Sequence, residues 1–342
     1  MNAAESTDHD TGGVDTLSNT MKAIIQTRFG SPDNVLEFSD VPIPSVASDE
    51  VLVRVHAAGV AIGDWLMMTG TPYIARPMHG LFSPKQRVAG LELAGSVEAI
   101  GDNVTRFQVG DEVFGWGNGA LAEYVAVPED ALALRPANLT PEQAAAVPIS
   151  GFAALQALRD AGEVAQGQKV LIIGASGAVG TYAVQIAKAF GADVTGVSST
   201  RNVEMVRSIG ADHVIDYLQE DITRSGLRYD LIIDLAGNSS LSDLRRTLTP
   251  RGTLVIVGGS GGPLTMGFGR TIRAMVLSPF VSHTLRGFMA KSTAEDLAVL
   301  AELIETGQVT PVIDATFPIA DTTHAMTHIG SRHTQGKTVI TV

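Results

Sequence analysis

Residues 170–181 read VLIIGASGAVGT, an apolar run that breaks into a glycine-rich turn and passes at once into a helical pattern carried by Val184, Ile186, Ala187 and Phe190. A buried strand, a tight turn and a helix start joined without a gap leave few folds open. Such a turn aims backbone N–H groups and a helix N-terminus at one point, where a dinucleotide pyrophosphate is held without any cationic side chain. In the GxGxxG spacing Ala175 takes the place of the first glycine, and Gly177 and Gly180 take the others. Ala175, Ser176, Gly177, Ala178, Val179 and Gly180 therefore form the expected cofactor loop; a glycine-rich loop that binds nothing is the alternative.

The next strand, expected over 193–197, selects the nucleotide. An NAD site usually ends that strand in Asp or Glu, which holds the ribose 2′-hydroxyl. This chain continues instead with Ser198, Ser199, Thr200, Arg201 and Asn202. Hydroxyls and a guanidinium supply donors for a 2′-phosphate, and NADPH is the expected cofactor, bound by Ser199, Thr200 and Arg201. Alternatively, Ser199 and Thr200 cap a helix beginning near Asn202 while Arg201 points to solvent.

With 342 residues, 45% of them hydrophobic, the chain buries a sizeable core and is expected to form two domains. A formal charge of −12 argues against nucleic-acid or anionic-membrane partners, which need basic surfaces. No apolar run approaches the roughly 18 residues of a membrane span. Residues 1–20 are polar and acidic, as a disordered leader would be. The absence of cysteine excludes disulfides, thiol catalysis and thiolate-bound zinc, and fits a cytoplasmic enzyme.

Between 21 and 127, short apolar-alternating runs at 22–26, 50–57, 91–100, 112–114 and 122–127 are separated by turn residues and predict an antiparallel, barrel-like domain. Thr140, Pro141 and Gln143 form a helix-start signature. From 169 to 258 strands expected at 170–173, 193–197, 213–215, 231–234 and 253–257 alternate with helices, the pattern of an α/β doubly wound parallel sheet. A sixth strand is expected at 283–288, then a helix at 294–306 and a return to short strands ending at 337–342. The expected organisation is a leader at 1–20, a catalytic domain at 21–146, an NADP-binding domain at 147–289 and a return to the catalytic domain at 290–342.

Several stretches carry a family resemblance: VAGLELAG at 88–95, QVGDEVF at 108–114, GALAEY at 119–124, GADHVID at 210–216 and SRHTQG at 331–336. With the glycine turn they resemble the medium-chain dehydrogenase/reductase superfamily, more closely its zinc-independent quinone oxidoreductase branch. The resemblance implies a GroES-like antiparallel β-barrel catalytic domain beside a Rossmann sheet. Zinc-dependent relatives place metal ligands where this chain has Ala61 and Leu91, so no metal is expected. Glu92 stands beside the lost ligand as either a buried, paired structural acid or a catalytic one. His324 and His328, four apart with His333 nearby, have a spacing that can bind zinc but lack a third ligand at a recognisable offset.

The resemblance also implies a nicotinamide lined by 62–66, 150–153 and the glycine turn at 258–263, so Gly258, Gly259 and Ser260 join the expected cofactor residues. Tyr217 and Arg332 match residues that relatives place beside the cofactor. Asp64, Tyr73 and Ser150 are the expected catalytic side chains, with His79 a further candidate acid. Ala61, Leu66 and Ala153 stand where relatives carry polar groups, which weakens the case for a quinone and favours a bulky apolar acceptor; the expected partner is a small apolar substrate molecule. Trp65, Met67 and Met68 read as core. An apolar stretch at 264–280, with Ile272, Met275 and Val276 at helical spacing and Arg270 and Arg273 on another face, reads equally as a lid, a dimer contact or core.

The expected activity is NADPH-dependent hydride transfer to a quinone, an enone or a related apolar, electron-poor acceptor. Its alternatives are a zinc-independent alcohol dehydrogenase, an enoyl reductase or a non-catalytic NADPH-binding sensor. A homodimer is expected, joined along the sheet edge near 283–288.

Overall fold

The computed structural model describes residues 20–259 and 268–342. The expected leader, apart from Thr20, and Ser260 lie outside the described residues. Strands β1 (Thr20–Gln26) and β2 (Leu36–Pro42) form an antiparallel pair, bridged through Ala23 to Ala122 and through Ile25 to Val88. The second sheet is built on β3 (Glu50–Val60), whose Val51, Val53 and Val55 are buried while Arg54 between them is exposed. That alternation lets one face fill the barrel and the other meet water. Beside it lie β4 (Glu92–Ile100), β5 (Glu112–Trp116), β6 (Tyr124–Pro128) and β7 (Leu132–Leu134), all antiparallel.

The chain then enters a six-stranded parallel sheet in the order β10-β9-β8-β11-β12-β13. Its strands are β8 (Lys169–Ile173), β9 (Asp193–Ser198), β10 (His213–Asp216), β11 (Tyr229–Asp234), β12 (Leu248–Ile256) and β13 (Thr284–Gly287). Val170, Leu171 and Ile172 are fully buried, as a strand covered by helices on both faces requires. The order reverses between β8 and β11, which places the crevice for a dinucleotide outside their carboxyl ends. After helix Ala294–Glu305, strands β14 (Ile313–Pro318) and β15 (Lys337–Thr341) return to the barrel, where β15 pairs antiparallel with β3.

One apolar core joins the two sheets. Ala94 and Phe114 of the barrel meet Phe152, which continues to Ile172 and Tyr182 of the parallel sheet and its covering helix. Phe152 also receives Trp116 edge-on, with ring centroids 5.3 Å apart. The Thr140 signature does cap a helix, Pro141–Ala145, with Thr140 Oγ1 accepting from Gln143 N–H. That helix is short because Pro148 restarts the chain as a second one, Pro148–Gln156. Strands β2 and β7 have no counterpart in the sequence pattern, and β14 falls among the short strands expected after 306. β2 is largely exposed and held by its ladder to β1, so no apolar alternation announces it.

Candidate functional site

The turn after β8 has the backbone a pyrophosphate needs. Gly174 adopts φ +90°, the left-handed region that glycine enters without a side-chain clash, so Gly174 rather than Ala175 makes the tight turn. Ala175 is fully buried, and its Cβ packs 3.1 Å from where a Cβ on Gly196 of β9 would stand. It shapes the turn and does not face a ligand. Gly180 is buried too: a Cβ there would meet Gly174 O at 2.1 Å, so its role is the close approach of helix Ala178–Ala189 to the strand. Gly177 caps that helix with no side-chain bond to its first turn. The first-turn N–H groups of Ala178 and Val179 therefore have no intrahelical partner and remain for an anion, which fits a pyrophosphate.

Beyond β9 the expected adenosine residues gather. Thr200, Arg201 and Tyr217 are exposed at the carboxyl ends of β9 and β10, and Ser199 is half-buried beside them. Ser199 makes no side-chain cap to the short turn Thr200–Asn202, which removes the capping alternative for it. Residues 198–202 hold no carboxylate, and the fold supplies one. Asp216 ends β10 opposite Ser198, and its Oδ2 accepts from Thr200 Oγ1 at 2.5 Å. One of the expected phosphate donors is thus already engaged.

The C-terminal loop closes on the same turn. Gly336 N–H donates to Ser176 O at 2.9 Å, Gln335 Nε2 to Asn202 Oδ1 at 2.5 Å, and Asn202 Nδ2 to Ser176 Oγ at 2.8 Å. Arg201 donates to the His333 carbonyl from across this joint. Arg332 is exposed at φ +57° just past helix Thr322–Gly330, in the loop that docks on the glycine turn. Gly258 lies at the end of β12, where a Cβ would strike Leu235 O at 1.9 Å, and Gly259 follows it half-buried. Asn202 and Gln335, the clasp between loop and turn, were not expected. Two short polar residues in loops carry no sequence signal for such a contact.

On the barrel side a cavity of about 250 Å³ is lined by Phe29, Met67, Met68, Leu91 and Met326 and by the polar Gln26, Lys85, Gln86 and Asn118, with Asp64 the one acid among the described residues of its wall. Met68 is a core residue, as expected, and also a wall. Asp64 sits in the first turn of helix Ile62–Thr69, where Oδ2 accepts from Ala61 N–H at 2.9 Å. It is 8% exposed, and burial pushes its carboxyl above the ordinary Asp value against the pull of Lys337.

Behind Asp64 lies a fully buried ion pair between Lys337 Nζ and Glu92 Oε1. Glu92 is therefore the paired acid of the two readings. Its other oxygen accepts from Ile149 N–H at 3.1 Å, at the start of helix Pro148–Gln156, where the helix dipole also favours an anion. Burial nevertheless pushes the Glu92 carboxyl up to about 7, opposed by Lys337 and reinforced by Asp64. Gly59 of β3 makes room for the pair. It stands opposite both Glu92 of β4 and Val339 of β15, and a Cβ there would lie 3.1 Å from Lys337 Cε and 2.3 Å from Ala145 O. Lys337 was missed, although a lysine opening the apolar strand KTVIT was its available signal.

Two expected catalytic residues are corrected. Ser150 is 1% exposed and its Oγ accepts from Lys337 Nζ at 3.4 Å, so it supports the ion pair instead of meeting an acceptor. Tyr73 is 45% exposed outside the cavity wall, with the Arg76 guanidinium 4.4 Å above its ring. His79 ends the short helix Arg76–His79. His328 Nε2 lies 2.5 Å from Asp314 Oδ2, while His324 faces Asp321 at 3.9 Å, so the two histidines turn to different acids. Among the described residues no three His, Asp or Glu side chains converge on a point that could hold a metal. Helix Phe268–Leu277 buries Ala274 in the core, with Leu277 packed against it, while Ile272, Met275 and Val276 are more than half exposed and Arg270 is tied to the buried Asp234 at the end of β11.

Residues 47–137 match the family description "Alcohol dehydrogenase GroES-like domain", and residues 209–340 match "Zinc-binding dehydrogenase". The chain is 33% identical to the "NAD(P)H oxidoreductase RTN4IP1, mitochondrial" of Bos taurus, over 95% of this chain and 90% of that protein. It is 34% identical to the "Quinone oxidoreductase" of Sus scrofa, with 93% and 96% covered. The solved quinone oxidoreductase from Coxiella burnetii superposes with a TM-score of 0.81 at 29% identity, covering 94% of this chain and 99% of that one. With a parallel sheet that carries the dinucleotide turn and a barrel that closes on it, the chain belongs to the quinone oxidoreductase-like branch of the medium-chain dehydrogenase/reductase superfamily and is an oxidoreductase that uses a nicotinamide cofactor.

Proposed function

We propose that the chain uses NADPH to reduce apolar, electron-poor acceptors, ortho-quinones or conjugated enones, without zinc. The observation that carries this reading is the cavity wall: Phe29, Met67, Met68, Leu91 and Met326 stand around one buried acid, Asp64, with Gln26, Lys85, Gln86 and Asn118 as the other polar side chains of the lining. Where zinc-dependent relatives hold their metal, Ala61 and Leu91 offer no ligand, and a single carboxylate does not fit a site that needs three protein donors. An alcohol has to lose a proton to a base or a metal before it gives up hydride. A conjugated acceptor is already polarised and needs only a positioned hydride and a proton.

A dinucleotide held by its pyrophosphate at the glycine turn would supply the hydride from its nicotinamide. The clasp of Gln335, Asn202 and Ser176 fixes the C-terminal loop across that turn, while Phe29, Met67 and Leu91 exclude water from the acceptor. Asp64 Oδ2 is held by Ala61 N–H, which leaves Oδ1 to carry the proton that meets the acceptor oxygen as its charge develops. A homodimer joined along β13 belongs to the same proposal. It is supported by the exposed Ile272, Met275, Val276 and Phe280 beside that sheet edge, and light scattering on the purified chain tests it. Cytoplasmic residence rests on the cysteine-free composition. No helix among the described residues is long and apolar enough to cross a membrane.

Steady-state assays over two panels test the chemistry. NADPH-dependent reduction of ortho-quinones or enones should exceed NADP-dependent oxidation of primary alcohols by at least roughly tenfold in kcat/KM, about 1.4 kcal/mol in barrier. Faster alcohol oxidation, or activity lost with about one zinc per chain on chelation, would overturn the reading.

A further inference from the structure

Asp216 is the last residue of β10 and pairs across the sheet with Ser198, the last residue of β9. The strand order β10-β9-β8 puts this pair at the rim where the adenosine ribose of a dinucleotide lies. Three donors converge on the carboxylate. Thr200 Oγ1 at 2.5 Å and Gln219 Nε2 at 2.7 Å reach Oδ2, and Leu218 N–H reaches Oδ1 at 3.0 Å. With 8% of its surface exposed, the side chain is fixed in place.

A hydroxyl has one proton to give. Thr200 gives its proton to Asp216, so toward a bound cofactor it presents only lone pairs. Those accept from a ribose hydroxyl and repel a phosphate oxygen. We propose that Asp216 is a specificity-determining residue: by holding the Thr200 proton and setting a negative charge beside the ribose 2′ position, it narrows the preference for NADPH over NADH. The proposal rests on the NADPH reading above. The Thr200 bond foremost, with those from Leu218 and Gln219, holds the Asp216 carboxyl below the usual range, so the charge is present at neutral pH. Arg201, Arg332, Ser199 and Tyr217 remain to favour the phosphate, and Asp216 opposes them.

Calorimetric titration of the full chain with NADPH and with NADH tests this separately from the cofactor reading. The ratio of the two dissociation constants in the unmodified chain tests NADPH preference; equal binding sinks that reading and leaves the effect of substitution measurable. Asp216→Asn should tighten NADPH by about five- to tenfold, leave NADH within about twofold, and lose most of the gain near 0.5 M salt, where charges reach only a few ångströms. An equal shift for both cofactors, or a change in NADPH binding below about twofold, overturns the proposal. Thr200→Val, at an exposed position, keeps it testable if the first variant does not fold. NADPH binding should hold or tighten, and a loss of about tenfold confined to NADPH would show the hydroxyl serving the phosphate and overturn the proposal equally.

Discussion

At the dinucleotide end, the groups offered to a ligand are backbone N–H groups and polar or basic side chains from three contiguous stretches, 174–180, 199–202 and 331–336. At the cavity end one acid, Asp64, stands in a largely apolar wall under the pull of Lys337, and the buried cluster behind it, Glu92, Ser150 and Lys337, comes from three other elements far apart in the chain. Backbone does the holding at the first end, so the loss of any one side chain leaves most of it intact. The second end depends on a single ionic contact with no water to replace either partner. Binding should therefore be robust to substitution where proton chemistry and stability are not.

The sharpest way to break that comparison is Lys337→Met. Removing one partner strands the Glu92 carboxylate without solvent, and such losses run to about 3 to 5 kcal/mol. Denaturant unfolding measures it, and the double variant with Glu92→Gln should recover most of the loss, because two apolar or neutral groups no longer need each other. The pH dependence carries the same signature. Glu92 has a raised folded-state value, so between pH 4.5 and about 7 the folded chain binds more protons than the unfolded one, and stability falls as pH rises through that window. Glu92→Gln should flatten this slope. A loss in Lys337→Met below about 1 kcal/mol would place the pair in effective contact with solvent.

A somewhat smaller effect is expected for Asp64→Asn, which keeps the shape and the Ala61 bond but removes the proton. Loss of a general acid typically costs about a hundredfold or more in rate, close to 2.7 kcal/mol. KM for NADPH should stay unchanged, since the acid lies on the barrel side. Because burial raises the Asp64 value, the protonated form is present below it, and the rate should fall as pH rises through it; the variant should show no such fall. A rate within about threefold of the unmodified chain would assign the proton to solvent.

The two ends also differ in how legible they were. Strand period, glycine spacing and the alternation of strand and helix place β8 to β13 within a few residues, because each signal is local. The placement of Arg332 beside the glycine turn and of Tyr217 beyond β10 followed from motifs of contiguous residues. Lys337 and Glu92 are 245 positions apart, and only the antiparallel register of β15, β3 and β4 brings them together through the gap at Gly59. The same limit hid Asp216. A search for an acid along the end of β9 finds none, while the neighbouring strand delivers one sideways.

The mildest prediction tests whether the dinucleotide end is as distributed as it looks. Arg201 was expected to serve a 2′-phosphate, yet one of its nitrogens is given to the His333 carbonyl, so it also fastens the C-terminal loop. Arg201→Ala should then weaken NADPH by about tenfold, near 1.4 kcal/mol, the size of one charge-assisted bond, with Ser199, Tyr217 and Arg332 retaining the rest. NADH should weaken by no more than about twofold, the share due to a looser loop, since the Gln335–Asn202 clasp persists. Arg201→Lys should fall between the two, keeping the charge but losing the fork that reaches carbonyl and phosphate together. Equal losses for both cofactors would reduce Arg201 to a loop fastener, and a loss in NADPH of about a thousandfold would make this end as dependent on one side chain as the cavity is on Lys337.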